Sequence, residues 1–146
     1  MPLKVAVTDH SKKHGVVAAR FEKSAKKILK TLGWKHAEIS VLLTSDKEIR
    51  KINRKFLKHD YATDVIAFGT EDPVQIGDIV ISLDTAAANG KEYGNTFSYE
   101  VLFYFTHGLL HLMGHDDSTE KKSKSMHRKQ DLVLRKTKLN RFSLVR

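Results

Sequence analysis

The chain contains no cysteine. Disulfides and thiolate metal sites are therefore excluded, and a reducing cytosol is the compartment this fits. Prolines number only two, Pro2 and Pro73. No proline-rich linker divides the 146 residues, and there is neither a repeat nor a low-complexity segment. One domain over residues 1–146 is expected, long enough to bury a core without covalent staples. Long hydrophobic runs are missing too, since nothing approaches the ~18–20 apolar residues of a membrane span. The opening MPLKVAVTDHSKK enters a short apolar alternation at once and lacks the shape of a signal peptide. A cytoplasmic protein without a membrane partner is the expectation.

Acidic residues are scarce at one end. From Ser118 to Arg146 ten Lys/Arg stand against two Asp/Glu, whereas the preceding 117 residues hold 16 against 15. The formal net charge of +9 is thus concentrated in the tail. Such a tail suits a solvated helix face, or an electrostatic footprint for nucleic acid, where Lys/Arg displace counterions from phosphates. Charge alone does not choose between them.

What is present alternates between two periodicities. LKVAV (Leu3 to Val7), AEISVLLT (Ala37 to Thr44), TDVIAFG (Thr63 to Gly69) and DIVISL (Asp78 to Leu83) read as strands. HGVVAARFEKSAKKILKTLGW reads as a helix with Val17, Phe21, Ala25, Ile28, Leu29 and Leu32 on one face and Gly33 as its stop. SDKEIRKINRKFL follows as a second helix, with Ser45 as N-cap and Asp46 and Glu48 in its first turn. EDPVQIGD is a turn-rich connection, DTAAANGKEYG a shorter helix, and Ser98 to Met113 a helix apolar on nearly every side and hence buried. Beyond Ser118, Met126, Gln130, Val133 and Thr137 keep a weak helical spacing. Strands and helices around one core make an α+β or mixed α/β domain.

The buried helix carries the chemistry. In THGLLHLMGHDD, His107 and His111 stand four residues apart, one turn above each other on one face. Two imidazoles buried side by side cost about 1–3 kcal/mol each when unpaired, and a shared metal removes that cost. Gly114 allows a sharp helix end, after which a residue can fold back toward the pair. His115, Asp116 and Asp117 compete for the third ligand position. Asp117 is preferred on spacing, because H-x-x-x-H-x-x-G-x-x-D is the metzincin spacing with its third ligand changed. Gly108 occupies the place of the metalloprotease glutamate base, which excludes peptide hydrolysis by that route. Two histidines, a carboxylate and a water form an established catalytic zinc type.

The same segment resembles the YbeY family of endoribonucleases, or rRNA maturation factors, whose signature H-G-x-L-H-L-x-G-[Y]-D-H is matched by HGLLHLMGHDD (His107 to Asp117). TDVIAF (Thr63 to Phe68), GDIVIS (Gly77 to Ser82) and INRKF (Ile52 to Phe56) match further family segments, so the likeness runs from about Val41 to Gln130. It implies a single α+β domain, with a small mixed β-sheet packed with helices and a zincin-like metal helix. It also implies one divalent metal ion per chain, zinc being expected, held by His107, His111 and Asp117, with Asp117 in the place of a third histidine. The implied activity is single-strand-specific hydrolysis of RNA in 16S rRNA processing and ribosome quality control. The implied substrate is precursor small-subunit rRNA, and the implied partners are ribosomal proteins or ribosome-associated GTPases. Asp116 and His115 are the candidate proton shuttles, and Asp64 and Asp78 candidate carboxylates for orienting the histidines. Leu57 stands where the family often has an arginine, with Arg54 and Lys58 as the neighbouring cations. The rival expectations are a non-catalytic ribosome-associated RNA-binding factor and a purely structural metal site.

Overall fold

The computed structural model describes residues 3–146. Strand β1 (Leu3–Asp9) leads through α1 (Ala18–Thr31) to β2 (Ala37–Thr44), and α2 (Asp46–Leu57) leads to β3 (Val65–Gly69) and β4 (Gln75–Ser82). Three helices follow: α3 (Leu83–Tyr93), α4 (Phe97–Leu112) and α5 (Glu120–Lys136). The sheet order is β1-β2-β4-β3, with the first three strands parallel and β3 antiparallel to β4 at one edge. This is the small mixed sheet of an α+β domain.

Alternation along the strands sorts the core. Ala37, Ile39, Val41 and Leu43 of β2 and Ile79 and Ile81 of β4 point to one face, where α1, α3, α4 and α5 bury them. Among the described residues the opposite face is covered by α2 alone, through Ile49 packing on Ile66 and Val80. Four of the five helices begin on a hydroxyl that accepts from a backbone N–H: Ser45 from Glu48, Ser82 from Thr85, Thr96 from Tyr99 and Thr119 from Lys122. Each such cap stabilises by about 1 kcal/mol. Helix α1 has no side-chain cap. Its entry is fixed instead by Val17, whose N–H donates to the Leu144 carbonyl at 2.8 Å.

Several boundaries depart from the sequence expectation. The first helix does not include residues 14–17, because Val16 bridges to Val145 and Val17 is extended. Residues 75–77, expected in a connection, belong to β4, where Gly77 pairs with Ile39 and Gly69. Thr63 and Asp64, expected in a strand, precede β3, and the Asp64 carboxylate accepts from the N–H of Val65 as that strand begins.

Candidate metal centre

Helix α4 reaches the sheet unusually closely, and Gly108 is the reason. A Cβ at this position would lie 3.0 Å from Cδ1 of Ile79 and 3.2 Å from two more of its carbons. The glycine that excludes protease chemistry therefore also seats the metal helix on β4. Its neighbours Leu109 and Leu110 are fully buried, while His107 and His111 point along the rim, 14% and 35% exposed.

The helix ends in a paired-hydrogen-bond turn. The His115 N–H donates to the Leu110 carbonyl and the Gly114 N–H to the His111 carbonyl, both at 3.0 Å, with Gly114 at φ +95°. This is the geometry that a left-handed residue makes at a helix C-terminus. It reverses the chain so that Asp117 comes back beside the two histidines.

The donor atoms then converge. His107 Nε2 and His111 Nε2 are 3.0 Å apart. Asp117 Oδ2 lies 3.3 Å from the first and Oδ1 3.7 Å from the second. Ligands at 2.0–2.2 Å around a tetrahedral ion are separated by about 3.3–3.6 Å, and the spacings here, 3.0 Å between the rings and 3.3 and 3.7 Å to the two oxygens of Asp117, bracket that range. The charge of the donor set fits too, with two neutral imidazoles and one carboxylate. Among the described residues this trio is the group of His and acidic side chains with ligand spacing.

The tautomer of His107 can be read from its surroundings. The Gln130 amide nitrogen donates to the Phe103 carbonyl at 3.0 Å, which turns its Oε1 toward His107 Nδ1 at 2.8 Å. Nδ1 must then carry the hydrogen, and Nε2 is left as a bare lone pair aimed at Asp117 and His111. A residue that fixes the ring and tautomer of a ligand in this way raises its basicity. Gln130 is 1% exposed. In the sequence it appeared only as one step of a helical stripe, and a polar residue on an otherwise apolar stripe was the one signal of its role. His127, which no sequence pattern singles out, brings its ring to 6.1 Å from that of His107 and 5.6 Å from that of Phe103.

The other expected residues divide. Asp116 accepts from the Ser118 hydroxyl at 2.7 Å and the Ser118 N–H at 3.1 Å, and pairs with Lys122 at 3.4 Å. These bonds, those to Ser118 foremost, hold its carboxyl down at about 2. His115 Nε2 lies 3.5 Å from Lys129 Nζ. Among the described residues neither is hydrogen-bonded to the triad. Asp78 lines a groove of ≈ 530 Å³ with Ile52 and Phe56 of α2, on the sheet face away from α4. It cannot orient the ligand histidines from there, and Asp64 is engaged with Thr63 and Val65. Leu57 is exposed at the end of α2, and Arg54 pairs loosely with Asp60 at 3.9 Å.

A His-x-x-x-His helix on a mixed sheet, followed by a tight turn that returns a carboxylate, defines a zincin-like metal-binding domain without the protease base. The model of the family "Endoribonuclease YbeY" matches residues 6–138. The chain belongs to the YbeY family of metal-dependent nucleases, and carries a His-His-Asp triad where the family's usual site is His-His-His. It is 36% identical over 137 residues to an endoribonuclease YbeY of Geobacter metallireducens, covering 88% of this chain and 91% of the relative. With that of Chlorobaculum parvum it shares 37% over 135 residues, covering 92% and 94%. A solution structure of a Thermotoga maritima protein superposes with a TM-score of 0.66 at 27% identity, over 91% of this chain and 88% of the other. Among the described residues no helix is long and apolar enough to cross a membrane.

Proposed function

We propose that this protein is a single-strand-specific endoribonuclease acting on precursor 16S rRNA in ribosome maturation and quality control, with zinc as its metal. One observation carries the reading: the three donors converge at a rim where Asp117 keeps 40% and His111 35% of its side-chain surface exposed. Three protein ligands with an open side are the pattern of a catalytic zinc, whereas structural sites are closed by four. When bound, a divalent ion supplies Lewis acidity that brings the pKa of a water toward about 7 and polarises a phosphoryl oxygen.

The chain's own residues do the rest. His107 and His111, one held by Gln130, present lone pairs in a fixed direction. Asp117 adds one negative charge, which lowers the site's net positive charge relative to three histidines. Its hard oxygen also makes the site more tolerant of manganese than an all-nitrogen set. Lys121, Lys122, Lys124, Arg128 and Lys129 follow the turn directly and stand where a phosphate backbone would approach. For the proton, His115 is preferred over Asp116, because Asp116 is already committed to Ser118 and Lys122.

Elemental analysis with an rRNA-fragment cleavage assay tests the proposal on wild type, His107→Ala and Asp117→Ala. Wild type is expected to hold about one metal per chain and to cut single-stranded stretches, and both variants to lose metal and cleavage together. RNA binding without any cleavage by the metal-loaded wild type would replace the enzyme with a binding factor. Cleavage that survives loss of the metal would remove the metal from the reaction.

A further inference from the structure

We infer that the outer face of α1 is a second contact for the phosphate backbone of single-stranded RNA, separate from the basic start of α5. The inference rests on RNA being the substrate, and adds a surface that the triad and its turn do not include.

The observation begins in the helix periodicity. Phe21, Ala25, Ile28 and Leu29 of α1 are fully buried, and Lys23, Lys26, Lys27 and Lys30 take the opposite face. With Lys35 they surround a shallow depression of ≈ 560 Å³ that also exposes part of Trp34. Lysines three and four residues apart on one helix face repel one another. Glu22 is the one acid on this helix, and among the described residues none of the five lysines is in an ion pair. A solvated face gains nothing from such crowding, whereas a polyanion relieves it.

The fold places this face at the metal end of the domain. The starts of α1 and α4 meet at the opposite end, where Val17 donates to the Leu144 carbonyl and the Leu144 N–H donates to Ser98 Oγ, both at 2.8 Å. The two helices run the same way, so their C-terminal ends share one end of the sheet. Trp34 and Lys35 lie there beside Leu3, which pairs with Ala37, while Leu112 of α4 abuts Gly69 and Gly77 at the start of β4. Helix α5 runs back from that same end. The triad and the α1 lysines therefore share one end of the domain, but on different sides of it, with α1 packed on β1 and α4 on β4 and β3, so a strand that touches both spans the width of the sheet.

RNA is favoured over an anionic membrane surface. The apolar face of α1 is wholly spent on the core, so the helix has nothing to insert into a bilayer. Trp34 offers an aromatic surface among the cations, the combination that holds single-stranded nucleic acid by stacking and charge.

The test compares Lys23→Gln/Lys27→Gln/Lys30→Gln with Lys47→Gln/Lys51→Gln/Lys55→Gln, which removes equal charge from exposed sites on α2. Full-length proteins are titrated in chelator with a labelled single-stranded RNA oligonucleotide, so that binding is read without cleavage, across a range of salt. The α1 variant is expected to bind about 10- to 100-fold more weakly near 0.1 M salt, and its salt slope to fall by about 2, at about 0.7 per phosphate contact. The α2 variant should stay close to wild type. Equal losses in both variants, or none in the α1 variant, overturn the inference. So does α1-dependent binding to phosphatidylglycerol vesicles that exceeds binding to RNA. Absence of cleavage by the metal-loaded wild type would instead count against the proposed function, and leaves this binding comparison readable.

Discussion

At the scale of single residues, the candidate metal centre has a fourth participant besides its three donors, the amide of Gln130. Gln130 is buried on α5 and works in two directions, donating to the Phe103 carbonyl and accepting from His107. Replacing it with leucine keeps the volume roughly and removes both bonds. The Nδ1–H of His107 would then face an apolar side chain, and its ring would lose the partner that sets its tautomer. Loss of such a partner weakens metal binding by about 10- to 100-fold. Competition with a chelating dye should therefore show that loss in Gln130→Leu. Gln130→Glu keeps the acceptor for His107 but gives up the donor to Phe103, and should lose less affinity than Gln130→Leu. Equal affinity in Gln130→Leu and wild type would mean that His107 is oriented by α4 alone. Gly108 shows the same economy, since its missing Cβ both lets α4 approach Ile79 and removes the protease base.

At the scale of elements, the long connection from β1 to α1 is held by a polar clasp on the far side from the metal. Asp84, in the first turn of α3, accepts from His14 Nε2 at 2.8 Å and from the Asp46 N–H at 3.0 Å, and His14 stacks on Phe97. The hydrogen bond from His14, then that from Asp46, holds the Asp84 carboxyl below its ordinary 3.8, with the charges of His14 and Lys13 adding to the effect. A depressed folded-state value means the clasp is fully stabilising above pH 3.8 and is lost as pH falls through the lower folded value. Asp84→Asn should cost about 1 kcal/mol at neutral pH and flatten the decline of thermal stability between about pH 5 and pH 3. An unchanged acid profile in the variant would show that the clasp carries no linkage. This device was not legible in the sequence, because His14 and Asp84 are seventy residues apart. The metal triad was, because a helix and one turn bring its members together locally. Strands with clean alternation, such as Ala37 to Thr44, were equally plain. The start of β4 was not, because Asp72, Pro73 and Gly77 are turn residues by type and only pairing with β2 and β3 makes residues 75–77 extended. Strand order stayed hidden for a related reason, since parallel neighbours are chosen by the crossover helices and by which face each one buries.

At the scale of the whole molecule, a bound metal would tie the end of α4 to the turn that follows it. With no disulfide available, the end of α4, the turn at Gly114 and the start of α5 are held by two backbone hydrogen bonds, by the bonds of Asp116 to Ser118 and Lys122, and by Gln130 reaching across from α5. His107 Nε2 and His111 Nε2 face each other at 3.0 Å, with the Asp117 carboxylate 3.3 Å from the first and 3.7 Å from the second. An ion that binds the folded chain and not the unfolded one stabilises the domain by mass action, about 2.7 kcal/mol at a free concentration one hundred times Kd. For a chain of this length each kcal/mol moves Tm by about 2–4 °C. Adding a chelator to the metal-loaded protein should therefore lower Tm by about 5–10 °C. His107→Ala should melt at the same temperature with and without chelator. The effect must also reverse on adding zinc back, which separates it from any direct action of the chelator. A wild-type Tm that ignores both chelator and zinc would mean that the three donors, however well spaced, do not hold an ion in solution.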